Sequence, residues 1–306
     1  MDGNIEEALA LLLEGDKACL PEQEEMKGLV AASGRMVYCI EDRGNVIPAI
    51  NLGRDIYSLV YSGDTLFATS DSRFWDRPDG EVFDVGRRMK IAKNNGAFIV
   101  PFRGSVAGVA RDGKIMDFRK NEAIAYTECG KFSPLCSDGD RLFHADINGN
   151  VYDTLEHRAI GKLEERAWCL HPHNDDILAG TFKGVVSVRG NKTIDMPKER
   201  NGCVAQICTE GGRIFYLTLC DGAVYEATTH QKIIDFDVRC ILADKGTLYA
   251  GTQHGKVIAM QLDGQDKAVT EIRKTNSYPE PVTAMAMVPM GLWEQLAGNN
   301  GRELQG

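Results

Sequence analysis

The chain has 306 residues, with 35 Lys and Arg against 44 Asp and Glu, a formal charge of −9. That balance argues against binding a nucleic-acid backbone, which needs a clustered excess of cations; it leaves room for a local basic patch, although nothing in the linear order shows one. With 43% hydrophobic and 26% charged residues the composition is ordinary globular material, and no stretch approaches the roughly 18 apolar residues of a membrane span.

The nine cysteines are odd in number and show no Cys-x-x-Cys spacing. A secreted disulfide framework is normally an even set in a much shorter chain, so a reducing compartment is the simpler account. From Met1 to Cys19 the acids Asp2, Glu6, Glu7, Glu14 and Asp16 accompany a single Lys17, unlike the positive start of a signal peptide. The expectation is a cytoplasmic protein.

In chain order, residues 1–25 form an acidic segment with a short predicted helix over 3–14. Asp2 or Asn4 can cap it, Gly15 can end it, and Ile5, Ala8, Leu9 and Leu12 share one face. An isolated helix this short is marginal in water. It is therefore expected to dock on the side or end of the following domain, the alternative being partner binding or self-association.

From about residue 26 a repeat takes over. Glycines 44, 80, 113, 149, 184, 222 and 255 follow at spacings of 33 to 38 residues, and each is succeeded two positions later by Val or Ile. A period of this size marks a propeller or solenoid, one continuous domain over about residues 26–289. Aligning the strand before each glycine gives Met36, Leu66, Val106, Leu142, Ile177, Ile214 and Leu248, taken as the second strand of each unit. The next residues, Val37, Phe67, Ala107, Phe143, Leu178, Phe215 and Tyr249, are apolar too. Neighbouring positions of a strand face opposite ways, so these strands are buried on both faces, as blades stacked around an axis require. Asp79, Asp112, Asn148 and Asp221 precede their glycines, which suggests tight hairpins with both central residues at positive φ.

The pattern resembles a seven-bladed β-propeller of the WD-repeat and quinoprotein-like kind over about residues 26–275, most clearly in ILAGTFKGVVSV and TLYAGTQHGKVIAM. No Trp-Asp dipeptide closes the third strands, no Gly-His opens the blades, and no repeated tryptophan docking motif is present. The resemblance implies architecture, all-β with seven four-stranded antiparallel blades, and carries no catalytic site with it.

After the outer strand of the seventh blade, expected over Lys267–Lys274, Pro279 and Pro281 break the chain. Residues 282–289 read as a further strand that completes the first blade and closes the ring. An eighth, partial blade is the alternative, since residues 296–301 echo the repeat, although Glu303 stands where the other copies have Val or Ile. Residues 290–306 read as a short helix and a polar tail.

Two places offer binding chemistry. The second unit holds an insertion, SDSRFWDRPDG at residues 70–80, in which Phe74 and Trp75 are flanked by Arg73 and Arg77. Trp and Arg are the types most enriched at binding hot spots, while local packing on a neighbouring blade would explain the same aromatics. Counting nine residues back from the second-strand column gives Lys27, Tyr57, Ala97, Ser133, Trp168, Ala205 and Arg239, near the starts of the innermost strands. Among these Tyr57, Trp168 with Arg166 beside it, and Arg239 would form a binding ring at the channel mouth, or else pack between blades.

Metal and cofactor signals are weak. His171 and His173, with Asp175 and Asp176 after them, read as a polar turn rather than a zinc or iron site. His144 reads as a satisfied buried histidine. Asp146, Asn148 and Asn150 read as a hairpin turn, because the later bidentate Glu of a calcium loop is missing. Cys136, Cys169, Cys208 and Cys240 fall on innermost strands and read as small buried hydrophobes. The functional expectation is a non-catalytic scaffold binding a protein or peptide, without cofactor or metal and without nucleic-acid or membrane partners. The alternatives are a propeller enzyme, hydrolytic or metal-assisted, and a small-ligand sensor, each with its site at the channel mouth.

Overall fold

The computed structural model describes residues 27–41, 44–70, 80–110, 112–128, 133–190, 192–195, 202–235, 237–263, 267–272, 280–298 and 302–303. The helix expected over 3–14 and the insertion residues 71–79 lie outside them.

Four-stranded antiparallel sheets follow one another along the chain. The first blade contains β1 (Lys27–Ser33), β2 (Met36–Ile40) and β3 (Val46–Asn51). The second has β4 (Ile56–Ser62), β5 (Thr65–Ser70) and β6 (Gly80–Asp84). Next comes the long β7 (Met89–Phe102), whose first half pairs with β6 and whose second half pairs with β8 (Ser105–Ala110). It is thus the outer strand of the second blade and the innermost of the third, which β9 (Lys114–Asp117) and β10 (Glu122–Tyr126) complete. The fourth blade is β11 (Leu135–Ser137), β12 (Leu142–Ala145), β13 (Asn150–Asp153) and β14 (Arg158–Lys162). The fifth is β15 (Cys169–His173), β16 (Asp176–Thr181), β17 (Gly184–Ser187) and β18 (Lys192–Asp195). The sixth is β19 (Val204–Glu210), β20 (Arg213–Thr218), β21 (Val224–Glu226) and β22 (Lys232–Ile234). The seventh is β23 (Val238–Asp244), β24 (Thr247–Thr252), β25 (Lys256–Gln261) and β26 (Lys267–Glu271).

The ring is closed by β27 (Val282–Pro289), which pairs with β1 on one edge of the first sheet and packs between the innermost strands β23 and β4. The chain folds as a seven-bladed β-propeller. The first blade takes its innermost strand from the far end of the chain, so the repeat read from Met36 and Gly44 is one strand out of step there. Met36 lies in the third strand, and the turn equivalent to the other six is at Gly34, between β1 and β2. No eighth blade exists among the described residues. Glu303 belongs to β28 (Arg302–Glu303), which pairs parallel with the outer edge of β3.

Seven apolar clusters account for the packing among the described residues, one at each blade–blade interface. Leu178 and Val185 of the fifth blade, for instance, pack with Ile207, Tyr216 and Tyr225 of the sixth. Buried side chains on both faces of the second strands follow from this arrangement, because every sheet has a neighbour on each side.

The turns differ from the Asx-Gly expectation. Gly44, Gly113, Gly149, Gly222 and Gly255 have positive φ, but Asp112, Asn148 and Asp221 do not. The amides of Gly113 and Gly149 bond the carbonyls three residues back, Ala110 and Asp146, so the left-handed residue follows a type I turn. Paired positive φ occurs instead between first and second strands, at Arg103-Gly104 and Lys245-Gly246. The repeat glycines have a second duty. Gly113, Gly149, Gly222 and Gly255 accept, on their carbonyls, the amides of Thr127, Leu163, Val238 and Ile272, tying the chain leaving each outer strand to the turn of the same blade.

After β27 comes the helix α1 (Met290–Ala297), docked on the first blade beside the second. No helix among the described residues is long and apolar enough to cross a membrane.

Candidate functional site at the connection end

Because strands alternate in direction, the turns between second and third strands share one end of the ring with the links between blades. The start of every innermost strand lies there too. We call this the connection end; the remaining turns, Lys27 and α1 lie at the opposite end.

At the connection end the innermost strand opens with an extra residue in five of the seven blades. The register shifts between Ile56 and Ser58, Val204 and Gln206, and Val238 and Cys240, so that Tyr57, Ala205 and Arg239 are bulge residues. In the fifth blade the Trp168 amide donates to the Gly180 carbonyl at 2.8 Å while Cys169 already pairs with Gly180. In the first blade Ser33 opposes Val282 and Ala32 opposes Ala284, leaving Thr283 as the extra residue. A bulge re-aims a side chain out of the regular alternation. Consistent with that, Ile56, Ala167, Val204, Val238 and Val282 immediately before are buried, whereas Arg239 and Trp168 are exposed and Tyr57, Ala205 and Thr283 half-buried.

Four members of the nine-back column, Tyr57, Trp168, Ala205 and Arg239, are therefore bulge residues, and Lys27 does not belong to it. Lys27 sits at the opposite end, paired with Pro289 and bonded to Asp244, because the first blade's innermost strand is β27. Thr283 takes its place, and its hydroxyl donates to the Ile56 carbonyl of the second blade at 2.5 Å. Ser133 is buried, bonded to Thr127 and to the Ala145 carbonyl, and the side chain of Ala97 lies outside the described residues.

The structure brings Arg166 and Trp168 together, the guanidinium carbon 5.2 Å from the indole centroid. Trp168 also meets Phe182 edge-on, with 5.4 Å between ring centroids. Arg239 donates to the Gln253 side chain and is not grouped with Trp168 by any direct contact. Arg73, Phe74, Trp75 and Arg77 lie outside the described residues; the described residues on either side of that segment, Ser70 and Gly80, are at this end.

Sequence reasoning missed most of the exposed apolar surface. Six large hydrophobic residues are exposed among those described: Met89, Tyr126, Ile147, Trp168, Phe182 and Leu219. All but Met89 lie at the connection end, on four consecutive blades, the third to the sixth. Ile147, Phe182 and Leu219 occupy the turns before Gly149, Gly184 and Gly222, and each is more than half exposed. The signal was present in the sequence, since a turn normally carries polar residues there, as Gln253 and His254 do in the seventh blade.

The remaining polar groups are committed to the fold. His144 is buried, hydrogen-bonded through Nδ1 to the Thr154 hydroxyl at 3.0 Å, and burial pushes it down to about 4. His171 bonds Thr209 of the next blade at 3.1 Å and is likewise pushed down by burial, to about 4. His171 and His173 lie in β15 rather than in a turn, and the hairpin itself is Asn174-Asp175. Asp146 accepts the amides of Asn148 and Asn150, as a turn-forming Asp does. No cluster of three potential metal ligands exists among the described residues. Cys169 and Cys240 point their thiols at the Val204 and Val282 carbonyls of the following blades, both at 3.5 Å.

No protein-family model matches the sequence. No curated protein is similar to it in sequence. Solved structures are similar in fold alone. The computationally designed Ika8 protein superposes with a TM-score of 0.53 at 13% identity, over 85% of this chain and 91% of its own. Apo AztD from Citrobacter koseri gives 0.52 at 12%, over 86% and 99%. A chain from the nidogen/laminin complex gives 0.51 at 10%, over 86% and 98%. These neighbours are propeller-like.

Proposed function

We propose that the protein is a non-catalytic scaffold that presents the connection end of a rigid ring to a protein or peptide partner. One observation carries this reading: five of the six exposed large hydrophobics described sit at that end. Scattered exposed hydrophobics are normal, whereas an arc over four adjacent blades is the kind of surface that a partner covers. Trp168, with the Arg166 guanidinium over its ring and Phe182 edge-on to it, supplies the aromatic–arginine chemistry typical of binding hot spots. Arg73, Phe74, Trp75 and Arg77 would extend the surface to the second blade, with Tyr57 and Arg239 at the channel mouth. We place the protein in the cytoplasm, in keeping with seven described cysteines that are all unpaired.

The test is affinity capture from host lysate with wild type, a Trp168→Ala/Phe182→Ala double variant, a deletion of residues 72–78, and Met89→Ala as a control at the opposite end. Thermal melts confirm folding of each. The reading requires a partner that the double variant loses and the Met89 variant keeps. Equal capture by all four would overturn it.

A further inference from the structure

Charge is distributed very unevenly along this acidic chain, which the linear reading overlooked. Residues 85–121 hold nine Lys and Arg against Asp112 and Asp117, a net +7, so the rest of the chain carries −16. The fold gathers part of this excess at the opposite end. The turn from β6 to β7 presents Arg87 and Arg88, with Lys90 just inside β7, and the turns of the third blade present Arg103, Arg119 and Lys120. The two blades meet here: Arg119 donates to the Gly104 carbonyl at 3.1 Å and approaches Asp64 of the second blade at 3.9 Å.

The local acids neutralise this surface only in part: Lys90 is closely paired, its Nζ 3.1 Å from Glu81, which also meets Arg54. Asp84 and Asp117 are buried and accept the amides of Arg87, Arg119 and Lys120, with the Ser105 hydroxyl also on Asp117. Their side-chain contacts with Arg87 and Lys120 are long, 3.7 and 3.8 Å. Arg88 and Arg103 pair with no carboxylate among the described residues, and Arg103 donates instead to the Asp140 carbonyl and lies over Phe102. Arg88 is held at φ +54, the left-handed position of its turn. Beside it is Met89, the one exposed large hydrophobic described at this end.

The chain supplies a matching ligand. Residues 1–26 hold eight Asp and Glu against Lys17, a net −7, and an apolar stripe of Ile5, Leu9 and Leu12. They join the ring at Lys27, which is at the same end as the basic surface, on the blade adjacent to the second. Extended chain covers roughly 3.3 Å per residue, ample for that reach. We infer that the acidic segment 1–26 docks in cis on the basic surface of the second and third blades, its carboxylates over Arg87, Arg88, Arg119 and Lys120 and its apolar stripe on Met89.

Carbodiimide crosslinking of the full chain tests this, using an equimolar mixture of unlabelled and nitrogen-15-labelled protein read by mass spectrometry. Amide links between acids of residues 1–26 and Lys90 or Lys120 are expected, within chains of a single isotope. Their yield should fall by about fivefold in Arg88→Gly/Arg119→Ala and in about 0.5 M salt, where screening shortens the reach of surface charges. Glycine suits the left-handed position of Arg88, and the contacts that Arg119 makes are exposed, so that variant is expected to stay folded, which a thermal melt checks. Absence of these links, or links insensitive to both the variant and the salt, overturns the inference. Mixed-isotope links overturn it in favour of a second copy as the occupant.

Discussion

The indole of Trp293 lies directly on the α-carbon of Gly28, and its Nε1 donates to the carbonyl of Leu29 at 3.1 Å. This contact fastens α1 to the strand that β27 pairs with, so it locks the place where the two ends of the chain meet. A Cβ at residue 28 would stand 2.2 Å from the indole Cδ1, and a rigid ring cannot step aside cheaply.

Gly28→Ala is therefore expected to destabilise by about 1–3 kcal/mol, the usual range for overpacking a tight core. Trp293→Ala should cost about 3–5 kcal/mol through the lost buried ring. In the double variant Gly28→Ala/Trp293→Ala the clash is gone, so the losses should not add. Urea unfolding checks this, and additive losses would show that the two residues act independently.

Gly149 joins two constraints at one atom: φ of +81, and a would-be Cβ 2.6 Å from the backbone oxygen of Glu165. Gly149→Ala should cost on the order of 2 kcal/mol, because neither the turn nor the link to the next blade can yield. Gly246→Ala makes the comparison. It shares the positive φ, at +74, but its Cβ would meet nothing within 4 Å. Equal melting-temperature losses in the two variants would mean that the close approach adds nothing.

This glycine shows why so much of the fold was legible in the sequence. A residue fixed by backbone conformation and by close approach recurs at a fixed period, and the period reveals blades and their number. Ring closure was less legible in detail, because the strand completing the first blade comes from residues 282–289 and shifts the count there by one strand. The site was only partly legible. The bulge residues Tyr57, Trp168 and Arg239 could be found by counting, since the bulge recurs with the blade. Ile147, Phe182 and Leu219 look like strand-end hydrophobes until the turn is located. The basic surface escaped because its charges come from three separate turns and its counter-charges are buried under them.

Thiol reactivity should sort by depth. Cys240 is buried and its thiol is pushed up to about 12, with Cys39 also at about 12 and Cys136 and Cys208 raised in the same direction by burial. Cys220 is exposed. Since the thiolate is the reacting species, iodoacetamide at pH 8 should modify Cys220 within minutes. Cys39, Cys136, Cys208 and Cys240 should react only at the rate of unfolding. Peptide mass spectrometry over time gives the order, and early labelling of Cys136 or Cys240 would mean that the inner strands open readily.

His144 should make the protein acid-sensitive in a defined window. Its ring stacks on Tyr152 at 5.1 Å between centroids and is bonded to Thr154, which is fully buried. Burial lowers its folded value to about 4, with the nearby Asp146 charge opposing and His157 reinforcing the shift. The unfolded imidazole titrates near its usual value of about 6.5. Between these limits the unfolded chain binds a proton that the native protein excludes, so stability falls as pH drops from about 6.5 towards 4. At pH 5 the loss from this one group is about 2 kcal/mol relative to pH 7.5. His171, shifted in the same direction, should add to it. The buried carboxylates act at lower pH: Asp146 is held below its ordinary range by its hydrogen bonds against the effect of burial, and its contribution is lost only in stronger acid. Urea unfolding at pH 7.5 and pH 5 should therefore show His144→Gln less stable than wild type at the higher pH but less affected by acid, the pH difference shrinking by about 2 kcal/mol. An unchanged pH difference in the variant would remove His144 as its source.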